Sequence, residues 1–214
     1  MRQARPPTLY YDMSNTASLV LEAGVDEAGR GPLAGPVVVA AVILPATYDL
    51  PGLDDSKRLS AIRRERLLPQ IENQAIAYAV EVVDVAEIDQ VNILQATMNG
   101  MQRAVESLRP RPSRVMIDGN RAPPLSCEVQ TVIGGDGSIA SISAASVLAK
   151  VYRDHLMESM HDLYPGYGFD RHKGYPTVHH LDRLQALGPC PIHRMTYAPV
   201  RACVLVQRSP SLRR

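Results

Sequence analysis

Asp26 and Glu27 stand side by side in Gly24-Val25-Asp26-Glu27-Ala28-Gly29-Arg30-Gly31, at the end of an apolar run and just before a flexible basic loop. Two carboxylates beside such a loop make a place that can hold a divalent metal against a phosphate. On a regular strand neighbouring side chains point to opposite faces, so the two acids share one site only if the backbone turns there, and Gly29 and Gly31 permit that turn. Arg114-Val115-Met116-Ile117-Asp118-Gly119-Asn120 has the same form, an apolar strand ending in an acid followed by glycine, and presents a third carboxylate. Open α/β folds bind ligands at the carboxyl edge of the sheet. Taken singly, each acid followed by glycine reads first as a strand ending in a solvated turn.

The longer string Val25 to Val37, which adds Pro32-Leu33-Ala34-Gly35-Pro36-Val37, resembles the signature of the type 2 ribonuclease H family in its bacterial ribonuclease HII branch. Further segments agree in order: Asp54-Asp55-Ser56-Lys57-Arg58-Leu59-Ser60, Asn92 to Met98, Ile117 to Asn120, Ile142 to Lys150 with Arg153-Asp154, and Tyr167 to Phe169 with His172 to Thr177. The resemblance runs from about Leu21 to about Val204. It implies a ribonuclease H-like α/β fold, a mixed β-sheet flanked by helices, with C-terminal helices walling the substrate groove. It also implies an endonuclease that hydrolyses the RNA strand of RNA/DNA hybrids and cuts 5′ to single ribonucleotides in duplex DNA, leaving 5′-phosphate and 3′-hydroxyl ends. The cellular task so implied is removal of misincorporated ribonucleotides and RNA primers.

By matching position, the resemblance implies four catalytic, metal-binding carboxylates: Asp26, Glu27, Asp118 and Asp136. Gly134 departs from the pattern, which often carries lysine there, and the departure touches a phosphate contact and not the neighbouring carboxylate. On position alone Asp136 reads as a turn residue or helix N-cap, since Gly134, Gly135 and Gly137 surround it and a helical run follows. Cutting a phosphodiester with water needs an activated nucleophile and relief of charge in the transition state, which two divalent cations roughly 3.5–4 Å apart supply. Acids without a Cys or His cluster suit Mg²⁺ or Mn²⁺, and Asp26 is the natural acid to be shared between two such ions.

The resemblance makes Gly29-Arg30-Gly31 the loop that senses the ribose 2′-hydroxyl, the group that distinguishes RNA from DNA. It makes Tyr175 the ring that packs on the nucleotide following the ribonucleotide, although a lone tyrosine is ordinarily a half-buried amphipathic residue. Lys57, Lys150, Arg153, Arg171 and Lys173 are candidate phosphate contacts, each of which taken alone reads as a solvated charge. Ser56 and Asn92 are sugar or phosphate contacts on one reading, a turn residue and a helix start on the other. His172 is a further candidate near the metals, whereas His179 and His180 read as helix-face residues.

The elements that must position these groups are legible in the apolar pattern. Ser18 to Val25, Pro36 to Leu44 and Ala75 to Val85 read as strands, and hairpin-like pairing suits them. Ser60 to Asn73 reads as a helix capped by Ser60, and Glu87 to Leu108 as one longer helix with Ile93, Leu94, Met98, Met101 and Val105 at helical intervals. Arg109 to Pro112 stops it, strands follow at Arg114 to Ile117 and Glu128 to Ile133, and helices at Ile139 to Leu163 and Thr177 to Leu187.

A chain of 214 residues suits one catalytic domain, placed at residues 21–206 between a flexible tail at 1–20 and a basic tail at 207–214. The net charge of +1 excludes coating of nucleic acid by bulk positive charge, so any basic groove must be local. Three scattered cysteines, no membrane-length apolar run and no signal-peptide core point to a cytoplasmic protein with reduced thiols. Monomer is the default state, and the tail shows no convincing sliding-clamp motif. An HIII-type enzyme would need an N-terminal substrate-binding domain, for which too few residues precede Gly24. A binding module without catalysis would lack a carboxylate, and a dinucleotide-binding loop would need G-x-G-x-x-G.

Overall fold

The computed structural model describes residues 21–208, so the calls for both tails lie outside the described residues apart from the last turn of a C-terminal helix. Strands β1 (Glu22–Ala28) and β2 (Val37–Ile43) pair antiparallel, and β3 (Ala77–Val83) pairs antiparallel with β2. Strands β4 (Arg114–Asp118) and β5 (Glu128–Val132) run parallel to β1, giving the order β3-β2-β1-β4-β5. The parallel junction of β1 and β4 brings the carboxyl ends of two strands together, β4 ending in Asp118 and β1 carrying Asp26 and Glu27 just before its last residue.

Helix α1 (Ala61–Gln74) starts at Ser60, whose hydroxyl accepts from the Arg63 amide. The helix expected from Glu87 to Leu108 is instead two, α2 (Val85–Val91) and α3 (Ile93–Ser107). Asn92 separates them, because its φ of 72° leaves the helical region while its side chain accepts from the amides of Leu94 and Gln95. Asparagine tolerates that conformation and caps well, so the helix-start reading of Asn92 is what the structure builds.

Beyond β5, a single 3₁₀ turn at Gly135–Gly137 leads into α4 (Ala140–Leu163). The short α5 (Phe169–His172), α6 (Val178–Leu187) and α7 (Ala198–Arg208) complete the chain. Helix α7 was not anticipated. It extends past the boundary drawn at residue 206. Among the described residues no helix is long and apolar enough to cross a membrane.

Strand β2 is buried throughout because it is covered on both faces, and the pleat divides its residues between two cores. Val37, Val39, Ala41 and Ile43 join α3 with Ala23 and Val25, while Val38, Ala40 and Val42 join α1 and α4 with Ala144, Ala145 and Ala149. The small residues of α4 let the helix lie close on β1. At Gly24 the approach is backbone to backbone, and a β-carbon there would sit 2.1 Å from the Ser141 carbonyl carbon. Gly24→Ala must therefore lift α4 from the sheet, and is expected to cost about 3 kcal/mol or more and lower Tm by about 10 °C, read by thermal denaturation.

Candidate active site

Asp26 on β1, Asp118 at the end of β4 and Asp136 in the 3₁₀ turn each bring one carboxylate oxygen within 4.8 Å of the other two. Parity explains the first pair: Asp26 shares the α4 face of the sheet with Gly24, and Asp118 shares it with Met116. Asp136 arrives because the Gly135 amide donates to Asp118 Oδ1 at 2.8 Å, and the Ser143 hydroxyl of α4 donates to the Asp136 carbonyl at 2.6 Å. The Asp136 side chain does not cap α4, whose N-cap position is Ile139 with no side-chain cap bond. It instead accepts from Lys57 Nζ at 2.8 Å.

Glu27 lies outside that cluster. Strand β1 continues through it, with Asp26 opposite Ala40, Glu27 opposite Val39 and Ala28 opposite Val38, so no turn occurs at the paired acids. The turn waits for Gly29. Glu27 therefore faces the α3 side, lining a depression with Arg30, Leu94, Met98, Met101 and the Asp118–Arg121 segment. Asp118, at the very end of its strand, borders both the cluster and this depression.

The electrostatics show a site short of positive charge. Burial, then the charges of Glu27 and Asp118, push the Asp26 carboxyl well above the usual range, with the Glu27 amide opposing the rise. Burial also raises Glu27, against the pull of Arg30, whose guanidinium lies 3.3 Å away. The hydrogen bond to Asp136 lifts Lys57 to about 12. Crowded, hard oxygen donors with no sulfur or imidazole among them suit Mg²⁺ or Mn²⁺.

The other expected substrate contacts divide sharply. Arg30 and Lys57 are exposed beside the acids, as are Gly31 and Tyr175, and a β-carbon on Gly31 would sit 3.6 Å from the Tyr175 ring. Arg171 is also exposed. Ser56 is buried and shares a 2.7 Å hydrogen bond with Ser146. Lys150 pairs with Asp154 at 2.6 Å, an acid it shares with Arg64, and Lys173 pairs with Glu158 at 2.7 Å. Arg153 is the clearest correction: it is 1% exposed and donates to the Pro36 and Ala34 carbonyls, so it supports the loop from beneath. Gly29 has φ +99° and lacks a β-carbon where Arg153 packs, which admits that guanidinium.

Two further groups escaped the sequence reading. Arg194, fully buried, bonds the same loop through its carbonyls. His180 points inward and forms a relay with His193, the two Nε2 atoms being 3.1 Å apart. Cys190 donates its amide to His193 Nδ1, so His193 carries its proton on Nε2 and donates to His180, whose Nδ1–H in turn donates to the Tyr175 carbonyl. His172 belongs here too: its Nε2 donates to the Tyr167 carbonyl and it stacks on His180, away from the acids. An isolated pair of histidines in a sequence carries no sign of such a relay.

The sheet order, the antiparallel hairpins and the acid cluster at the β1/β4 edge define a ribonuclease H-like nuclease fold, and solved structures agree. The ribonuclease H2 of Pyrococcus horikoshii OT3 superposes with a TM-score of 0.75 at 27% identity, covering 87% of this chain and 98% of that one. The RNase HII in the PCNA:RNase HII complex from Archaeoglobus fulgidus gives 0.69 at 26% identity, covering 83% and 95%. Bst-RNase HIII in complex with Mn²⁺ gives 0.65 at 20% identity, covering 87% and 70%, a likeness of fold alone. The family model described as Ribonuclease HII matches residues 23–200. Ribonuclease HII of Bordetella avium is 56% identical over 180 residues, 84% of this chain and 89% of that one. The chain belongs to the ribonuclease HII family. Its activity is that of a metal-dependent ribonuclease H, which hydrolyses the RNA strand of RNA/DNA hybrids.

Two expectations follow. Because burial raises the Asp26 carboxyl above its unfolded value, its charge opposes folding at neutral pH. Asp26→Asn keeps the acceptor for the Glu27 amide and removes that charge, so without metal its Tm at pH 7 should rise by a few degrees. Added Mn²⁺ should then stabilise the wild type and not the variant, both read by calorimetry. Burial lowers His193 to about 4, so the unfolded chain binds its proton first and stability is lost as pH falls from about 6.5 to about 4. The loss attributable to His193 is on the order of 3 kcal/mol. Denaturant titrations of the wild type and His193→Asn across that range should show a shallower decline in the variant.

Proposed function

We propose that this enzyme, besides cutting hybrids, incises duplex DNA on the 5′ side of a single embedded ribonucleotide, using two Mg²⁺ or Mn²⁺ ions and leaving 5′-phosphate and 3′-hydroxyl ends. The observation that carries the reading is the convergence of Asp26, Asp118 and Asp136 near the turn after β1, where Arg30 and Gly31 are exposed. Bound divalent cations would supply an activated water and neutralise charge on the phosphate and the leaving oxygen.

The residues divide the remaining work. Asp26, the member of the three that is next to Glu27 on β1, is the acid to be shared between two ions. Asp118 and Asp136 complete one side, and Glu27 the other from the opposite face of the sheet. Hydrogen bonds to Asp118 and to the Asp136 carbonyl hold two of these acids in place in advance, while Lys57 and Arg30 occupy Asp136 and Glu27. Lys57 and Arg30, each held by a site acid yet exposed, are placed to neutralise phosphate oxygens. The backbone of Gly29 to Gly31 offers donors to a 2′-hydroxyl, and Tyr175 beside it offers a stacking face for the following nucleotide. Helices α5 and α6 with the Tyr175 segment form the wall of the substrate groove. Such an enzyme serves removal of ribonucleotides misincorporated into DNA.

A labelled duplex with one ribonucleotide, run beside an all-DNA duplex, tests this. Cleavage is expected 5′ to the ribonucleotide, only with Mg²⁺ or Mn²⁺, with none in the all-DNA duplex. Asp26→Asn should lower the rate by about 1,000-fold or more, equivalent to about 4 kcal/mol of transition-state stabilisation. Cleavage of long hybrid without incision at the single ribonucleotide would sink the reading.

A further inference from the structure

Arg194 lies between Ile192 and Tyr197 in a strap that packs against the inner side of the Gly29–Pro36 loop. The strap is joined to the loop by backbone: the Arg194 amide donates to the Leu33 carbonyl and the Gly35 amide to the Ile192 carbonyl, both at 2.8 Å. It is anchored on its far side by Asp89 of α2, whose carboxylate accepts from the amides of Met195 and Thr196.

The Arg194 guanidinium is fully buried, and no carboxylate pairs with it among the described residues. Its donors go to the loop instead. Nη2 reaches the Gly29 carbonyl at 2.6 Å and those of Gly35 and Pro36 at 2.8 and 3.2 Å. Nε donates to the Gly35 carbonyl at 3.0 Å, and Nη1 to the Arg30 carbonyl at 2.9 Å and the Tyr197 hydroxyl at 3.0 Å. The Tyr197 hydroxyl passes the chain on, donating to the Arg30 carbonyl at 2.7 Å. A guanidinium has five N–H groups, and these contacts occupy them all, so none remains for substrate.

The consequence lies on the other side of the peptide planes. In a trans peptide the N–H points opposite to the carbonyl. Holding the Gly29 and Arg30 carbonyls inward therefore turns the Arg30 and Gly31 N–H groups away from the interior, where a sugar hydroxyl can meet them. We propose that Arg194, completed by Tyr197, is the positioning residue that fixes these two outward donors and so sets discrimination between ribose and deoxyribose. The proposal rests on the reading of Gly29–Gly31 as the 2′-hydroxyl sensor.

Only a planar fork satisfies this geometry, since an ammonium has three donors on one atom and cannot span carbonyls from Gly29 to Pro36. Arg194→Lys is thus a severe change. Tyr197→Phe is the mild one, because it keeps the ring and the guanidinium and removes one acceptor and one donor.

The test measures binding by the metal-free protein, in which no cleavage occurs, to a duplex with one ribonucleotide and to an all-DNA duplex. The wild type is expected to prefer the ribonucleotide. Arg194→Lys should weaken that binding about ten-fold or more while affinity for all-DNA duplex stays within about two-fold, with a smaller shift in the same direction for Tyr197→Phe. Hydrogen exchange of the 29–35 amides should accelerate in both variants, and Mn²⁺ affinity should not change. If Arg194→Lys does not fold, Tyr197→Phe decides. Folded variants with unchanged exchange and unchanged preference would overturn the proposal, as would equal losses on both duplexes. A wild type without preference, its loop exchange still dependent on Tyr197, would refute the sensor reading while leaving Arg194 as the residue that orders the loop.

Discussion

Consecutive side chains on a strand project to opposite faces, and this rule parts the two acids at consecutive positions of β1. Asp26 is committed to the α4 face and Glu27 to the α3 face. A site that uses both can exist only where the strand runs out and the two faces meet around its end. The parallel partner β4 ends at the same level with Asp118, which borders both sides. The antiparallel hairpin to β2 leaves that edge free of a connection directly over the acids, because the chain turns back through Gly29 to Pro36 beside them. Gly24, one pleat behind Asp26, lets α4 press onto the same strand and deliver Asp136 from its leading turn.

Charge is distributed with the same economy. The chain carries 23 Lys and Arg against 22 Asp and Glu, a balance that says nothing about which charges face a substrate. The fold withdraws several basic residues from the surface. Lys150 and Arg64 meet on Asp154, which pins the loop carrying Ser56 and Lys57 through bonds from Arg64 to the Ser56 and Leu59 carbonyls. Arg153 and Arg194 are withdrawn further, to the inner side of the Gly29–Pro36 loop. Burial, with the neighbouring Arg194 charge, brings Arg153 down to about 10. Lys57 and Arg30 remain exposed because their partners are the site acids themselves.

This distribution explains what could be read in the residues and what could not. Apolar runs announced all five strands to within a few residues, since that pattern is local. The acids of β1 and β4 announced a sheet-edge site for the same reason. Asn92 was harder: apolar spacing continues across it, and only its backbone conformation reveals two helices. Asp136 had no local signal stronger than a glycine-rich turn, and its membership depends on the Gly135 amide reaching Asp118. The roles of Arg153, Arg194 and the His180–His193 pair depend on residues more than a hundred positions away or on a buried tautomer chain, which no spacing encodes.

The two unusual features of the site are of opposite sign and only three residues apart along β1 and its turn. Asp26 is a buried carboxylate crowded by like charges, and beneath Gly29 lie two buried guanidinium groups that donate to backbone carbonyls and meet no carboxylate among the described residues, with Arg153 Nη1 left without a partner. Pairing the acid with one of the arginines would relieve both, and a chain shaped by stability alone would have little reason to keep them apart. Separated, they do different things. The acid joins Asp118 and Asp136 in one cluster of carboxylate oxygens, and the arginines hold carbonyls of the Gly29–Pro36 loop. Strand parity holds Asp26 against Ser146 on α4, whereas the turn at Gly29 carries the loop over Arg153 and the strap. Gly29, which follows the end of β1, thus divides a cluster of carboxylates from a loop held by buried guanidinium groups, two features that a pairing of acid with arginine would have merged.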